Sequence, residues 1–304
     1  MGQLMQDRFQ KVWDNFASRV TYEEPLSEHS RIRIGGKVFA WVKVSDTAEL
    51  VKLQRMIKSM GMRYIVAGNC SNILFPDGTL EAFMLELAGE PFRGIELKGR
   101  EVYVGAGVLL ADLISYCCDR GLSGLEGLVG IPATVGGALA NNASYKTTIS
   151  DRLLRVKVLD RGLNEFFIGR EDIKFSYRYS SLQETGTITG AVFSMDKSGP
   201  EELKERCKDL FREKMQQQPL ERNTLGCVFK NPSASRYTSG QMIEEAGMKG
   251  KRAGGAVISE KHANFIENTG GARASDVRHL IDRVRTVVRE RFEVDLETEI
   301  EIIT

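Results

Sequence analysis

Apolar residues recur three and four positions apart in five segments of the chain, the spacing of one buried helical face. The predicted helices cover residues 1–20, 46–60, 111–121, 201–218 and 275–292. Period-two alternation and short apolar runs bounded by turn residues predict strands instead. The predicted strands cover residues 64–67, 101–104, 153–160, 165–169, 173–178, 187–195 and 294–303. This mixture of elements predicts the α+β class.

The last predicted strand, 294–303, alternates apolar residues with acidic ones. The acidic residues are Asp295, Glu297, Glu299 and Glu301. Alternation puts all four carboxylates on one face of a strand, where solvation alone is enough to explain them. The pattern therefore does not single out one of them as functional.

Composition and charge exclude several classes of protein. The chain has 304 residues, 42% of them hydrophobic, with 42 Lys and Arg against 41 Asp and Glu, so no overall field attracts nucleic acid or an anionic membrane. The first predicted helix lacks the continuous apolar core of a signal peptide, and no apolar run is long enough to span a membrane. The five cysteines form no CxxC pair and the three histidines are scattered, so neither a disulfide framework nor a metal site is predicted. A cytoplasmic protein is expected.

Glycine is concentrated in residues 121–145, which read GLSGLEGLVGIPATVGGALANNASY. Two shorter turns, GNCSN at 68–72 and GAG at 105–107, follow predicted strands. Small residues in such turns leave backbone amides free to form nests that bind phosphate without a basic side chain. Neither GxxxxGK[ST] nor a strand–GxGxxG–helix unit is present. The three turns therefore predict a large anionic ligand such as a dinucleotide, and the alternative is a turn-rich loop segment that binds nothing.

Eight stretches of the sequence, in the same order and at similar spacing, resemble the family of UDP-N-acetylenolpyruvoylglucosamine reductases (MurB). They are LSEHSRIRIGG (26–36), AGNCSNIL (67–74), GAG (105–107), GLSGLEGLVGIPATVGGALANNA (121–143), FSYRYS (175–180), GCVFKNP (226–232), GGAVISEKHANFIEN (254–268) and LETEI (296–300). The compact length resembles the shorter of the two forms of this family.

The resemblance implies a particular domain organisation. Residues 1–20 are expected to be an N-terminal helix and residues 21–199 a two-lobed FAD-binding region of the PCMH type. Residues 200–304 are then a smaller α+β substrate-binding domain, whose C-terminal strand returns Glu299 to the active site. A boundary in this position agrees with the charged helix and Pro219, which separate the glycine-rich half from the C-terminal part of the chain.

The resemblance also implies an activity: FAD-dependent, NADPH-driven reduction of UDP-N-acetylenolpyruvoylglucosamine to UDP-N-acetylmuramate in peptidoglycan precursor synthesis. By the same resemblance, Arg178 polarises the substrate carboxylate and Glu299 stabilises the enol-like intermediate. Cys227, which stands where the family most often has serine, protonates C2. Lys230 and Asn231 are expected to bind the diphosphate or sugar of the nucleotide substrate. No metal is implied.

The cofactor-binding residues implied by the resemblance lie in the three glycine-rich turns. They are Gly68, Asn69, Cys70, Ser71, Asn72, Gly105, Gly107, Gly130, Ile131, Pro132, Thr134, Gly136, Gly137, Ala138 and Asn141. In the family these segments wrap FAD. Cys70 stands where the family has glycine, and Gly127 stands where an aromatic residue is usual.

Each catalytic assignment has a simpler alternative. Without its motif Arg178 is a surface arginine at a strand end, Cys227 is a small buried apolar residue, and Asn231 with Pro232 is a turn. Two other functions also stay open, namely a related flavoenzyme acting on another nucleotide sugar and a non-catalytic flavin- or nucleotide-binding regulator. The partner expected is a small UDP-sugar enolpyruvyl ether, without nucleic acid or membrane; the oligomeric state is left open and a monomer fits the sequence.

Overall fold

The structure, a computed structural model, describes residues 19–233 and 235–304. The first part of the chain forms a four-stranded sheet in the order β1-β2-β5-β3. Strand β2 pairs antiparallel with β1 and parallel with β5, which also pairs parallel with β3. The elements here are β1 (Arg19–Pro25), α1 (Leu26–His29), β2 (Lys37–Val44), α2 (Thr47–Ser59), β3 (Arg63–Ala67), β4 (Ile73–Leu74) and β5 (Leu80–Leu87).

The second part is built on a five-stranded antiparallel sheet in the order β10-β9-β13-β7-β6. Its helices are α3 (Glu90–Arg93), α4 (Leu110–Asp119), α5 (Val135–Ala140), α6 (Leu182–Thr185) and α7 (Pro200–Gln217), with 3₁₀ turns at Glu126–Leu128, Ile149–Asp151 and Arg170–Asp172. Its strands are β6 (Ile95–Lys98), β7 (Glu101–Gly105), β8 (Leu122–Ser123), β9 (Leu153–Asp160), β10 (Glu165–Gly169), β11 (Phe175–Ser176), β12 (Tyr179–Ser180), β13 (Gly186–Ser194) and β14 (Asp196–Lys197).

The third part packs around one long helix. Its elements are α8 (Ser239–Glu245), β15 (Arg252–Ala253), β16 (Ala256–Ile258), β17 (Ile266–Asn268), α9 (Ala274–Phe292) and β18 (Glu301–Ile302). Helix α9 buries Val277, Leu280, Ile281, Val284 and Val288. These residues lie on the face that the apolar spacing predicts, because positions three and four apart share one side of a helix.

Two large hydrophobic clusters hold these parts together. The first joins both sheets and includes Phe83 of β5, Leu113 of α4 and Phe193 of β13. It also contains Leu203 of α7, so this helix packs on the second sheet. The second cluster surrounds α9 and takes in Ile32 from the loop before β2. The division of the chain at residue 199 stays a prediction.

Four of the five predicted helices are present within two residues of their predicted ends, and the mixed α+β architecture is observed. The predicted N-terminal helix lies outside the described residues, except for its last two positions, which begin β1.

Two predicted strands are wrong in the structure. The strand predicted at 173–178 is replaced by a tight hairpin at 175–180, in which β11 and β12 pair across a turn at Tyr177 and Arg178. Arg178 has a φ of 56°, a left-handed conformation outside the extended region that a regular strand requires. The strand predicted at 294–303 shrinks to β18, which pairs parallel with β4.

The carboxylates of this last segment do not share one solvated face. The side chains of Asp295 and Glu297 are 79% and 78% exposed, whereas that of Glu299 is only 15% exposed. The irregular backbone before β18 breaks the alternation, because the amide of Glu299 donates to the carbonyl of Val228 and not to a partner strand.

No helix in the described part of the chain is long and apolar enough to cross a membrane. Among the same residues, no three His, Cys, Asp or Glu side chains gather in a way that would hold a metal ion.

Candidate active site

One cavity of about 530 Å³ brings together most of the residues singled out by the sequence. It lies where the loops 68–73 and 130–134 meet the N-terminal part of α5, the hairpin turn at 177–178 and the segment 224–227. Arg178, Cys227 and Glu299 all line it. The predicted cofactor residues that line it are Gly68, Asn69, Cys70, Ser71, Asn72, Gly130, Ile131, Pro132, Thr134, Gly137, Ala138 and Asn141.

The two glycine-rich loops, 68–73 and 130–134, contact each other directly. The side-chain amide of Asn69 donates to the carbonyl of Pro132 at 2.9 Å. A Cβ at Gly68 would lie 2.7 Å from Thr134 Oγ1, so only glycine allows this approach. Thr134 in turn caps α5, since its Oγ1 accepts from the amide of Gly137 at 3.2 Å.

Residues 69–72 form a cradle of backbone amides. Within the described chain, none of these four amides donates a hydrogen bond to a protein acceptor. The left-handed φ of 43° at Cys70 turns the backbone between them, which is the alternation that makes an anion-binding nest. The amides at the start of α5 are different, because those of Val135 and Gly136 already donate to Val108 and Ala106. The amides without a protein acceptor therefore lie in the first loop and not at the start of α5.

Cys70 occupies a backbone conformation that glycine adopts without strain. Its side chain is 3% exposed and belongs to a third hydrophobic cluster with Phe75 and Met84. Burial raises the pKa of its thiol to about 12, so the group is unreactive at neutral pH. The packing of this side chain offsets the left-handed strain of about 1 kcal/mol.

Three predicted cofactor residues do not line this cavity. The amide of Gly105 donates a hydrogen bond to the carbonyl of Gly94, and the amide of Gly136 donates to the carbonyl of Ala106. A Cβ at Gly105 would lie 2.1 Å from the carbonyl oxygen of Phe92, so this glycine is required by the packing of α3. Neither glycine lines this cavity, and their contact with a cofactor stays a prediction. Gly107 lines a neighbouring cavity of about 550 Å³, which meets the first at Gly68, Asn69 and Thr134.

Arg178 and Glu299 form an ion pair at the edge of the cavity. Arg178 Nε lies 2.6 Å from Glu299 Oε1, and the two side chains are 20% and 15% exposed. A second guanidinium nitrogen of Arg178 donates to Ser144 Oγ at 2.9 Å. Burial raises the pKa of Glu299, while Arg178 opposes this rise. The left-handed backbone at Arg178 stores strain at the point where the side chain enters the cavity, as functional residues often do.

Cys227 lies near Arg178 and Glu299, and hydrogen bonds to the backbone of the two residues that follow it hold it there. The side-chain amide group of Asn264 accepts from the amide of Phe229 at 2.9 Å and donates to its carbonyl at 2.8 Å. The amide of Glu299 donates to the carbonyl of Val228 at 2.7 Å, on the other side of the same segment. Burial raises the pKa of Cys227 to about 12, and the nearby Glu299 carboxylate adds to the rise. The thiol therefore keeps its proton at neutral pH.

Lys214 of α7 is a site residue that the sequence pattern did not reveal. It lines the cavity, is 5% exposed, and its Nζ lies 3.3 Å from the carbonyl of Val129 and 4.6 Å from the centre of the Tyr145 ring. Burial lowers its pKa to about 8. A signal was available, because Lys214 lies eleven residues, or three helical turns, after the buried Leu203 on the same face.

Two more unpredicted residues line the cavity. Arg31, in the loop before β2, donates a hydrogen bond to the carbonyl of Leu220. Tyr177 lies at the hairpin turn, and its hydroxyl accepts from the amide of Asn231 at 3.3 Å. Three cationic side chains therefore line the cavity, those of Arg31, Arg178 and Lys214. This arrangement suits a ligand with several negative charges.

The two predicted substrate-binding residues are placed differently from each other. Asn231 lines the cavity, although its side-chain oxygen also accepts from the amide of Ser239 at the start of α8. Lys230 does not line it, and its Nζ lies 3.4 Å from a carboxylate oxygen of Glu297.

These features fit FAD. The nest at 69–72 suits a pyrophosphate, and the space beyond Gly137 is open enough that a Cβ there would meet only Thr134 Oγ1, at 3.4 Å. The lining from Gly130 to Ala138 carries no charged side chain, which suits a flat ring system.

Two segments of the chain match models of known protein families. Residues 218–303 match the family described as UDP-N-acetylenolpyruvoylglucosamine reductase, C-terminal domain, and residues 40–162 match an FAD binding domain. A UDP-N-acetylenolpyruvoylglucosamine reductase from Moorella thermoacetica is 37% identical over 285 residues, covering 93% of each chain. The enzyme of that name from Bacillus subtilis is 34% identical over 302 residues, covering 98% of this chain and 99% of its own.

A solved structure of similar fold has the same name. The crystal structure of UDP-N-acetylenolpyruvylglucosamine reductase (MurB) from Thermus caldophilus superposes with a TM-score of 0.80 at 35% identity. The match covers 94% of this chain and 99% of that one. The predicted fold, an α+β protein with an FAD-binding region, is thereby confirmed. The chain belongs to the UDP-N-acetylenolpyruvoylglucosamine reductase family and contains an FAD-binding domain.

Proposed function

We propose that this protein is a flavoenzyme that reduces UDP-N-acetylenolpyruvoylglucosamine to UDP-N-acetylmuramate, with bound FAD and with NADPH as the reductant. One observation carries the proposal. Arg178, Cys227 and Glu299 come from three separate regions of the chain and converge on the cavity that the two glycine-rich loops line. This reaction supplies a precursor of peptidoglycan.

The chain would hold FAD through its backbone. The amides of residues 69–72 would take the pyrophosphate, and the stretch from Gly130 to Ala138 would pack against the ring system. When bound, FAD supplies the hydride that adds to C3 of the enolpyruvyl group. The protein then has to stabilise the charge that develops at C2 and the adjoining carboxylate.

Arg178 is suited to that charge because its guanidinium is already fixed. Ser144 and Glu299 hold it from two sides, so little reorganisation is needed when charge develops nearby. In this proposal Arg178 binds the substrate carboxylate and Glu299 helps to stabilise the enol-like form. The strained turn at Arg178 serves to keep the side chain aimed into the cavity.

Cys227 is the proposed proton donor to C2. With a pKa raised to about 12 by burial, the thiol is protonated at neutral pH and loses its proton only to a strongly basic centre, such as a carbanion. Lys214 and Arg31 are proposed to bind the diphosphate, a group with which cationic side chains make charge-assisted hydrogen bonds.

Anaerobic titration tests the proposal. The purified protein should be yellow, lose its flavin absorbance on addition of NADPH, and regain it when UDP-N-acetylenolpyruvoylglucosamine is added. Bleaching without recovery would assign the protein to another nucleotide sugar. A colourless protein that cannot be reconstituted with FAD would refute an enzymatic function.

Replacing Gly137 by valine should lower FAD occupancy while leaving the fold intact. The new side chain would project into open space in the cavity, because Thr134 Oγ1 at 3.4 Å is its only near neighbour. Flavin absorbance per protein, measured after reconstitution, checks this. Gly78→Val is the matched control, since a Cβ there would meet nothing within 4 Å and Gly78 does not line the cavity. Full occupancy in Gly137→Val would show that the cofactor does not approach this residue.

Lys214 should give the enzyme a pH dependence. Its pKa is lowered to about 8 by burial, so the positive charge is present below that pH and is lost as the pH rises through it. We expect kcat/KM for the nucleotide substrate to fall over this range. Lys214→Met should lower kcat/KM about 10- to 100-fold at pH 7, the contribution of a charge-assisted hydrogen bond, and should abolish the fall. Lys208→Gln, at an exposed position of α7, is the control. If kcat/KM of Lys214→Met fell with pH in parallel with the wild type, Lys214 would not be the source of the pH dependence.

A further inference from the structure

Two cysteines outside the active site face each other across a helix interface. Cys118 lies near the end of α4 and Cys207 in the second turn of α7. Their sulfur atoms are 3.4 Å apart and share a hydrogen bond. Nothing in the proposed reaction uses either thiol.

We propose that Cys118 and Cys207 are a redox-modification site, at which hydrogen peroxide converts the two thiols into a disulfide that joins α4 to α7. The sulfur atoms need to approach by only about 1.4 Å to reach the length of a disulfide bond. Helix α7 packs against α4 in the first hydrophobic cluster, which contains Cys118 and Leu203 and against which Cys207 packs. Lys204 Nζ also lies 3.2 Å from Asp119 Oδ1. The two cysteines are therefore held together before any oxidant arrives.

The hydrogen bond between the two sulfurs stabilises a thiolate at this pair, and either sulfur can be the donor. It lowers the pKa of Cys118 and raises that of Cys207, and we take Cys118 as the sulfur that is oxidised first. Lys204 also lowers the pKa of Cys118, whereas burial, Glu126 and Asp119 oppose the shift. The thiolate is the reactive form of cysteine. Because Cys118 is 5% exposed, a small oxidant such as peroxide is suited to reach it and a bulky disulfide is not.

The reaction balances in two steps. The Cys118 thiolate attacks one peroxide oxygen, the O–O bond breaks, and after proton transfer the products are a sulfenic acid and one water. The Cys207 sulfur then attacks the sulfenic sulfur, the S–O bond breaks, and a second water leaves. In total two thiols and one peroxide give one disulfide and two waters. A thiol reductant reverses the outcome.

The cross-link would close a loop between residues 89 positions apart. Long loops lose the most unfolded-state entropy when they are closed, so the oxidised protein should unfold at a higher temperature than the reduced protein. Dithiothreitol should return the Tm to its original value.

Peptide mapping of the FAD-loaded protein after treatment with hydrogen peroxide tests the proposal. We expect a peptide that joins Cys118 to Cys207 under non-reducing conditions and separates on reduction. Cys207→Ala should stop at a sulfenic acid on Cys118, which dimedone labels. Cys117→Ala is the control and should leave the cross-link intact, because this neighbouring thiol is 2% exposed and its pKa is raised to about 12 by burial.

The proposal is overturned if wild-type Cys118 and Cys207 stay as free thiols, or are oxidised singly, under conditions in which exposed thiols of a reference peptide form disulfides. It is also overturned if peroxide produces a cross-link to Cys117 or Cys227 in place of this pair. A cross-link without a rise in Tm would contradict the stabilising effect assigned to it.

Discussion

Replacing Arg178 by alanine is expected to slow reoxidation of the reduced enzyme by the enolpyruvyl substrate at least about 100-fold, a loss of about 2.7 kcal/mol. Reduction by NADPH should continue at close to the wild-type rate, since the developing carboxylate charge exists only in the second half-reaction. Stopped-flow absorbance of the flavin, recorded separately for each half-reaction, measures both rates. Arg178→Lys should recover little, because lysine cannot reproduce the planar fork that Ser144 and Glu299 hold.

The ion pair between Arg178 and Glu299 allows a second test with a double variant. Glu299→Gln should also slow reoxidation, and the double variant should be little worse than Arg178→Ala, because residues that act as a unit give non-additive losses. Glu297→Gln is the matched control, two positions away with a side chain that is 78% exposed. If Glu297→Gln is damaging and Glu299→Gln is harmless, the choice of catalytic carboxylate is wrong.

Replacing Cys227 by alanine should reduce the rate of reoxidation by about 10²- to 10⁴-fold, the contribution of a positioned general acid. Cys227→Ser should retain substantial turnover, because a hydroxyl can deliver a proton from the same place. Flavin reduction by NADPH should be unaffected in both variants. Reoxidation of Cys227→Ala at the wild-type rate would show that the thiol is only a packing group and that the acid lies elsewhere.

The raised pKa of Cys227 also predicts its chemical reactivity. With a pKa of about 12, the thiolate fraction at pH 7 is on the order of 10⁻⁵. Alkylation of Cys227 by iodoacetamide should therefore be slow at neutral pH and should accelerate as the pH rises. Fast alkylation at pH 7 would show that the thiol is not the protonated donor proposed here.

The elements that depend on local periodicity were predictable from the sequence. Helix α9 illustrates this, because its buried face follows directly from the spacing of Val277, Leu280 and Val284. The mixed fold followed from such elements, whereas the site residues were assigned by the family resemblance and stay a prediction. The position of Glu299 did not follow from alternation, since its burial depends on a backbone bond to Val228 and on Arg178.

Other features depend on contacts between distant segments, and a single sequence does not show them. Lys214 looks like one more charge on a charged helix; its spacing from Leu203 predicts the buried face, and the packing of α7 shows that it is 5% exposed and lines the cavity. Gly127 has a related explanation, because a Cβ there would lie 2.6 Å from Thr147 Oγ1. The space that an aromatic side chain would need is occupied by this threonine. The roles of residues such as Lys214 and Gly127 can be assigned only when the residues that pack against them are known.

The short parallel pairing of β4 with β18 has a consequence for protein synthesis. Asn72 donates to the carbonyl of Glu299 across a separation of 227 residues, so the proposed cofactor loop and the proposed catalytic carboxylate meet only when both have left the ribosome. Contacts of such high sequence separation form late, whereas domains near the N-terminus fold first. A nascent chain with its FAD-binding lobes complete should therefore be able to take up flavin while it is still unable to reduce substrate.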